Sequence, residues 1–460
     1  MKHSISRRTF IFMSAAAVTG CQTAGKSKPG RAKKISPNDK INFAAVGCGG
    51  KGASDIASCD RENIVALCDV DWNRAAATFD KYPAVKKYKD FREMLDKEKI
   101  EAMTVSTPDH MHAPVAMAAM ERGIHVYVQK PMAHTVHEAR TMTAAAKKYG
   151  VQTQMGNQGH SGEGVRQMAE MIWSGAIGHV REAHVWTNRP TWPQGIDRPA
   201  GSDTPPESLD WNLWLGPAPD RPYVAKHPVT GGDCYCPHVW RGWWDFGCGA
   251  LGDMACHIMD PAFYCLHLGS PTGFELVMQE GRTDETGPKK SVLKFNFPER
   301  LDPQGNKLIP LDLYWYDGGE LPPRPEGIPE GDKLGDGKNG SLFIGEKGCA
   351  TAGEYGGMPR LLPDKVMDQY QRPEPTIPRL KGSHYMDWLG AIRGEKEHAG
   401  SHFDYAGPFT ETVLLGNLAV RIGEPKQPFL WNGDTLQITN IPEANQYLTK
   451  QYRKGWEINL

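Results

Sequence analysis

Asp253 and His257 stand four residues apart in the stretch GDMACH, residues 252–257. On a helix that spacing puts both side chains on one face, and Gly252 leaves the start of the segment open to close approach. A carboxylate beside an imidazole can position and tune a proton acceptor near neutral pH. The same two residues also read as a surface ion pair of a helix, and spacing alone leaves both readings open.

A second pattern handles phosphate. The apolar run INFAAV, residues 41–46, meets Gly47-Cys48-Gly49-Gly50-Lys51-Gly52. Glycines at 47, 49 and 52 fit G-x-G-x-x-G, in which a tight turn and a bare backbone let a pyrophosphate approach the start of a helix. A second apolar run, 64–68, ends at Asp69, 22 residues after Gly47. An acid there binds ribose hydroxyls and disfavours a 2′-phosphate, which argues for NAD; Asp71 adds to this, while Arg74 keeps NADP open.

These residues need a scaffold. Helical patterns at 91–97, 112–121 and 135–149 alternate with strands at 102–106, 125–128 and 151–155, and Thr135 with Glu138 forms a capping box. Such alternation predicts a parallel sheet with right-handed crossovers, whose ligands lie beyond the carboxyl ends of the strands. Those ends carry Ser106-Thr107-Pro108 with His112, Gln129-Lys130, and Asn157. Beyond residue 158 the pattern changes to a helix at 165–173, a strand at 180–188, and alternating runs at 274–278, 292–297 and 311–315 that predict a mostly antiparallel sheet. Residues 384–392 and 409–422 read as late helices. Between the strand at 180–188 and the run at 274–278, residues 189–248 are dense in Pro, Gly and Trp, a length of irregular chain that marks function or interchain contact.

Four stretches, GCGGKG (47–52), STPDHMH (106–112), VQKP (128–131) and GALGDMACHIMD (249–260), occur in the order and spacing of the Gfo/Idh/MocA oxidoreductases. The chain resembles that family over about residues 41–430. The resemblance implies an α/β architecture: an N-terminal Rossmann domain (41–158), and a C-terminal α+β domain (159–460) with an open, mostly antiparallel sheet and late helices that return to the first domain. It implies Lys130 as the conserved-type lysine of the reaction, His257 as general acid/base, and Asp253 as substrate positioner or partner of His257. Cofactor contacts are expected from 47–52, Asp69, Ser106, Thr107, Pro108, His112, Gln129, Lys130 and Asn157. The family's usual Glu-Lys-Pro is here Gln129-Lys130-Pro131, which removes one partner for the lysine charge. Candidate sugar contacts are His160, Asn188, Arg189, Trp192, Trp243, Trp244 and Asp245, besides Asp253 and His257. Trp covers C–H faces and polar groups meet hydroxyls. Asp260 precedes Pro261 and reads as structural, at a helix restart. No metal is expected: Cys234-Tyr-Cys236 lacks the paired spacing of a zinc site, and hydride chemistry with acid/base groups needs none.

Residues 1–21 carry an export pattern: Arg7-Arg8, an apolar run at 11–18, and Thr19-Gly20-Cys21. This resembles a twin-arginine signal ending in a lipoprotein site, with Cys21 lipidated and 22–40 a flexible tether. The expected location is periplasmic and lipid-anchored, on a membrane side left open. A net charge of −1 on 460 residues gives no electrostatic reason for nucleic-acid binding, and the scattered cysteines form no disulfide framework. An exported enzyme has no obvious pool of nicotinamide cofactor. The leading expectation is therefore a redox-neutral glycosidase with tightly bound NAD, in which C3 is transiently oxidised, the C1 substituent is eliminated after C2 loses its proton, water adds, and C3 is reduced again. A sugar or polyol dehydrogenase or sugar–sugar oxidoreductase using NAD(P) is the alternative, and a non-catalytic sugar-binding lipoprotein a further one. A homodimer or homotetramer is expected by resemblance.

Overall fold

The computed structural model describes residues 32, 35, 36 and 38–460. The signal expected at 1–21, Cys21, and most of the tether lie outside the described residues.

The first domain is a six-stranded parallel sheet in the order β3-β2-β1-β4-β5-β6. Its elements are β1 (Asn42–Val46), α1 (Lys51–Ser58), β2 (Asn63–Cys68), α2 (Trp72–Lys81), β3 (Lys86–Tyr88), α3 (Phe91–Lys97), β4 (Ala102–Val105), α4 (His112–Met120), β5 (His125–Val128), α5 (Val136–Tyr149) and β6 (Thr153–Met155). β4 and β5 are buried at every residue, as strands covered on both faces must be. α5 starts at the capping box of Thr135 and Glu138 and stops at Gly150, whose φ is 63°. The order reverses between β1 and β4, where a doubly wound sheet opens its ligand crevice.

The second domain begins with α6 (Glu163–Trp173) and β7 (Val180–Trp186), continues through α7 (Trp211–Leu215), α8 (Gly249–Ile258) and α9 (Asp260–Cys265), and enters β8 (Gly273–Glu280) and β9 (Lys290–Phe297). A small hairpin, β10 (Arg300–Leu301) with β11 (Lys307–Leu308), leads to β12 (Leu311–Tyr316), β13 (Gly340–Gly345), β14 (Cys349–Ala352) and β15 (Arg360–Leu362). α10 (Asp364–Met367), α11 (His384–Ile392), α12 (Phe403–Ile422), β16 (Pro428–Asn432) and β17 (Gln437–Ile438) complete it. The nine strands run β15-β14-β13-β7-β12-β9-β8-β16-β17, antiparallel except for the β7–β12 pair. Along β12, Leu311, Leu313 and Trp315 join the main core, while Tyr314 and Tyr316 join a separate cluster on the other face with Trp186 and Leu342. Period-2 alternation thus makes one face for the helices and a second, smaller cluster on the other.

Two late elements bind the domains together. Tyr385, Trp388, Leu389 and Ile392 of α11 share a core with Ile41, Phe43 and Tyr127 of the Rossmann sheet. On α12, buried Glu411 pairs with Arg140 of α5. Residues 449–460 then run back across the first domain: Lys450 and Tyr452 both reach Glu138, each at 2.8 Å. Among the described residues no helix is long and apolar enough to cross a membrane.

Candidate active site

A cleft of about 520 Å³ opens between the two domains at the carboxyl ends of β1, β2, β4 and β5. That volume falls within the roughly 300–1,000 Å³ of small-molecule and cofactor sites. Lys130, Asp253 and His257 all line it. α8 carries Asp253 and His257, and the loop after β5 carries Lys130. The Lys130 Nζ donates to Asp253 Oδ1 at 2.8 Å and to the Asp253 carbonyl at 2.8 Å. Arg241 Nε donates to the same Oδ1 at 3.1 Å. Burial alone would raise the Asp253 pKa, but Lys130 and Arg241 outweigh it and hold the carboxyl well below its usual range. His257 goes the other way: burial, then the Lys130 charge, push its pKa well below that of free imidazole. It is a neutral ring at pH 7. Its Nδ1 is buried with no partner among the described residues, and its ring meets that of Tyr355 edge-on at 4.7 Å.

Asp253 is therefore not the partner of His257, although the two share a helix face. Two cations converge on its carboxylate from the cleft side, and their attraction decides where it points. The lysine charge likewise does not lack a partner for want of a glutamate at 129. Gln129 faces away from it and donates Nε2 to Asp55 Oδ2 at 2.8 Å. Buried Asp55 also accepts from Ser106 Oγ (2.6 Å), Lys51 Nζ (2.5 Å) and Tyr385 Oη (2.5 Å). A glutamate at 129 would set a second carboxylate against Asp55, so an amide suits the position.

The phosphate-binding end fits a dinucleotide. Gly47 turns at φ 84°, and a Cβ there would run into the Ser106 carbonyl. Gly50 caps α1 with φ 53° and no side-chain acceptor, and Gly49, Gly50 and Lys51 bring the start of the helix to the cleft lining. Thr107 Oγ1, on the lining, is buried without a partner among the described residues. Asp69 lines the cleft while its carboxylate accepts from the amides of Cys48 (2.7 Å) and Asp71 (2.9 Å), which fixes its orientation. Burial raises its pKa and these two bonds lower it.

The description "Oxidoreductase family, NAD-binding Rossmann fold" matches residues 41–157, and "Oxidoreductase family, C-terminal alpha/beta domain" matches residues 182–295, together half of the chain. The chain belongs to the Gfo/Idh/MocA family. Its first domain is an NAD-binding Rossmann domain. An inositol 2-dehydrogenase of Salmonella typhimurium is 31% identical over 123 residues, 26% of this chain and 37% of that protein. A "Glycosyl hydrolase family 109 protein" of Shewanella baltica is 27% identical over 205 residues, 39% of this chain and 45% of that protein. The chain thus matches less than half the length of these relatives. The WlbA dehydrogenase of Bordetella pertussis, solved in complex with NADH and UDP-GlcNAcA, superposes with a TM-score of 0.56 at 17% identity, covering 85% of this chain and 99% of that one. At that identity the likeness concerns fold alone.

Within this Gfo/Idh/MocA fold the other expected residues divide by burial. Gly47, Gly49, Gly50, Lys51, Asp69, Ser106, Thr107, Pro108, Gln129 and Lys130 line the cleft, as do Arg189 and Trp192. Cys48 and Gly52 pack beneath the turn and do not line it. His112 is buried between the carbonyls of Pro131 (2.8 Å) and Thr107 (3.0 Å), so it braces the loop that carries Lys130. Asn157 and His160 both bind buried Asp260, with Tyr405 as a third donor at 2.7 Å. That network ties α9 to the end of β6 and occupies the Asp260 carboxylate. Asn188 accepts from Arg189. Trp243, Trp244 and Asp245 fall outside the cleft lining. Trp243 is 1% exposed in an aromatic core and donates to the Cys234 carbonyl, Trp244 packs in the main core, and Asp245 pairs with Arg221. Their tryptophan density built a core under the long loop, which is the commoner fate of aromatic clusters.

Sequence reasoning missed Arg241, Asp109 and Tyr355. Arg241 sits in the same WRGWWDFG stretch that supplied the misplaced tryptophans, and nothing in its spacing distinguishes it. Asp109 lies in the 106–112 motif and lines the cleft; its Oδ2 accepts the amide of Cys248, the N-cap of α8, at 3.0 Å. Burial raises its pKa to about 7, against the pull of Lys130 and Arg241. The folded protein therefore holds a proton there that the unfolded chain releases near pH 4. Relative to Asp109→Asn, wild-type stability should fall as pH rises from about 4 to about 7 and level off above, which urea denaturation midpoints across that range would check.

Proposed function

We propose that this chain is a redox-neutral glycosidase that keeps its NAD bound through the whole cycle. The observation that carries the reading is the roof over the dinucleotide cleft. The segment after β7 crosses to the Rossmann domain: Trp72 donates to the Ser208 carbonyl at 3.1 Å and Asp210 to the Val70 carbonyl at 2.9 Å, directly beyond Asp69. Leu213, Trp214, Cys236 and Trp240 from this segment line the cleft. The C-terminal tail lies beside them, held by Arg453 Nε on the Gly216 carbonyl at 2.7 Å, and sets Trp456 on the lining against Phe91. A cofactor beneath two such straps leaves slowly. That suits a reaction restoring its own cofactor better than one exchanging it at each turnover.

When bound, NAD supplies the oxidation of a ring carbinol and its later reversal. The chain's residues do the proton work. Neutral His257 offers a ring nitrogen that accepts a proton from substrate. Lys130 is aimed by its two bonds to Asp253 and presents its remaining ammonium hydrogen to the substrate oxygen. Asp253 stays ionised and fixes Lys130 and Arg241. Oxidation at C3 acidifies the C2 proton, its removal expels the C1 substituent, and water adds before reduction. No pair of carboxylates flanking the bond is required, in contrast to the usual glycosidase route. The glycosyl hydrolase relative accords with this reading. The proposal includes export in the folded state with NAD inside, a lipid anchor at Cys21, and a dimer or tetramer built on the face of the nine-stranded sheet opposite the helices.

The inositol dehydrogenase relative favours a second reading, an ordinary sugar or polyol dehydrogenase. Denaturing the purified protein and quantifying released nucleotide separates the two. The proposal expects close to one NAD per chain. A protein that purifies empty and consumes added NAD in step with product is a dehydrogenase.

A further inference from the structure

We propose that the sugar carries an oxyanion and that Arg189 receives it, an inference resting on the carbohydrate reading above. Lys130, Arg189 and Arg241 line the cleft with His257, as does Lys51, which is paired with Asp55. Two carboxylates line the His257 end, Asp253 and Asp109; both Lys130 and Arg241 are on the Oδ1 of Asp253. Arg189 has no share in it. Its guanidinium meets the neutral amide oxygen of Asn188 at 2.5 Å and forms no ion pair among the described residues. The backbone beneath is held at both sides, its amide on Thr187 Oγ1 (3.3 Å) and its carbonyl under the Gly318 amide (2.6 Å), so the charge stands at an anchored place. It lies near Tyr355, the ring against His257: burial and then the Glu354 carboxylate push that phenol up to about 12, and the Arg189 charge pulls against them, while Glu354 itself accepts from Asn339 Nδ2 at 3.1 Å and forms no ion pair with Arg189.

Asp109 is engaged by the Cys248 amide at 3.0 Å and forms no ion pair with Arg189. A cation without a counter-charge in a half-buried, partly apolar cleft is poorly solvated. A ring hydroxyl answers it weakly, whereas a carboxylate or sulfate accepts two parallel N–H bonds from the planar fork. Tyr355 and Trp192 stand at the same end and give flat faces for ring carbons. Uronic acid glycosides and sulfated sugars share the required chemistry.

Calorimetric titration of the NAD-loaded protein with matched pairs tests this: methyl glucuronide against methyl glucoside, methyl galacturonide against methyl galactoside, and the 6-sulfates of both neutral sugars. In at least one pair the charged sugar should bind about 10- to 100-fold more tightly, as expected for hydrogen bonds to charged groups, and Arg189→Gln should collapse that ratio while Arg189→Lys keeps part of it. A preference for carboxylate over sulfate assigns a uronate; equal preference assigns oxyanions in general. Neutral sugars binding as tightly as their charged partners overturn the inference. So does a ratio unchanged in Arg189→Gln, or an Arg189→Gln protein that loses NAD instead, which would make Arg189 a pyrophosphate ligand. Aryl forms of the same sugars, assayed in parallel, keep the two proposals apart: charge preference without hydrolysis of any of them sinks the glycosidase reading and leaves this one standing.

Discussion

Lys130→Met should lower kcat by about 10²–10⁴-fold, the range that a positioned acid–base group contributes. The methionine keeps the unbranched apolar stem and removes the terminal ammonium. Asp253 retains Arg241 at 3.1 Å, so its carboxylate is not left unpaired, and the helix that bears it should stay folded. Loss of kcat with little change in KM is the signature of a group that acts in the transition state. His257→Ala should show the same signature, and the double variant should lose much less than the product of the two, because groups that act as a unit are not additive. Steady-state rates on an aryl glycoside, with thermal unfolding as the folding check, decide the matter. A Lys130→Met enzyme within a few-fold of wild type would remove the lysine from the chemistry.

Trp456→Ala should weaken NAD retention by about 10- to 100-fold, comparable to the loss of one aromatic–base stacking contact. Trp456 is 8% exposed, packs on Phe91 with ring centroids 6.1 Å apart, and has the Arg92 guanidinium 4.4 Å from its ring centre. The tail that carries it is pinned on both sides of the cleft, to Glu138 of α5 and to the carbonyls at 212 and 216 near α7. Ending the chain after Leu448 removes all of these ties and should release NAD during gel filtration, with activity restored by added cofactor. Nucleotide content per chain after purification is the readout. Full occupancy in the truncated protein would mean that the roof does not hold the cofactor.

The nucleotide half of the molecule was legible because its signals are local. Glycines that need positive φ, an acid at the end of a strand, and a capping box are each written in a few adjacent residues, and the structure has them at Gly47, Asp69 and Thr135–Glu138. α2 and β3 escaped notice: α2 has few large apolar residues on its buried side, and the β3 strand is three residues long. α12 starts six residues before the predicted 409 because Pro408 is accommodated inside it. The substrate end was harder to read because its contacts are long-range. Nothing near Asp253 in sequence says that Lys130, 123 residues away, takes its carboxylate from His257. Nothing in the composition of 189–248 separates Trp192, which faces the cleft, from Trp243, which fills a core. Asp55 and Gln129 show the same limit: the amide at 129 is a departure from the family in sequence and a fitted partner in space.

The central claim is that one bound NAD serves many turnovers and that the sugar passes through a C2 carbanion stage. Hydrolysis of an aryl glycoside in D2O, with no cofactor added, tests it in a single measurement of aglycone released and deuterium incorporated. The account predicts many aglycones per chain and deuterium at C2 of the freed sugar. Release that stops at one equivalent, or sustained release with protium kept at C2, would contradict it.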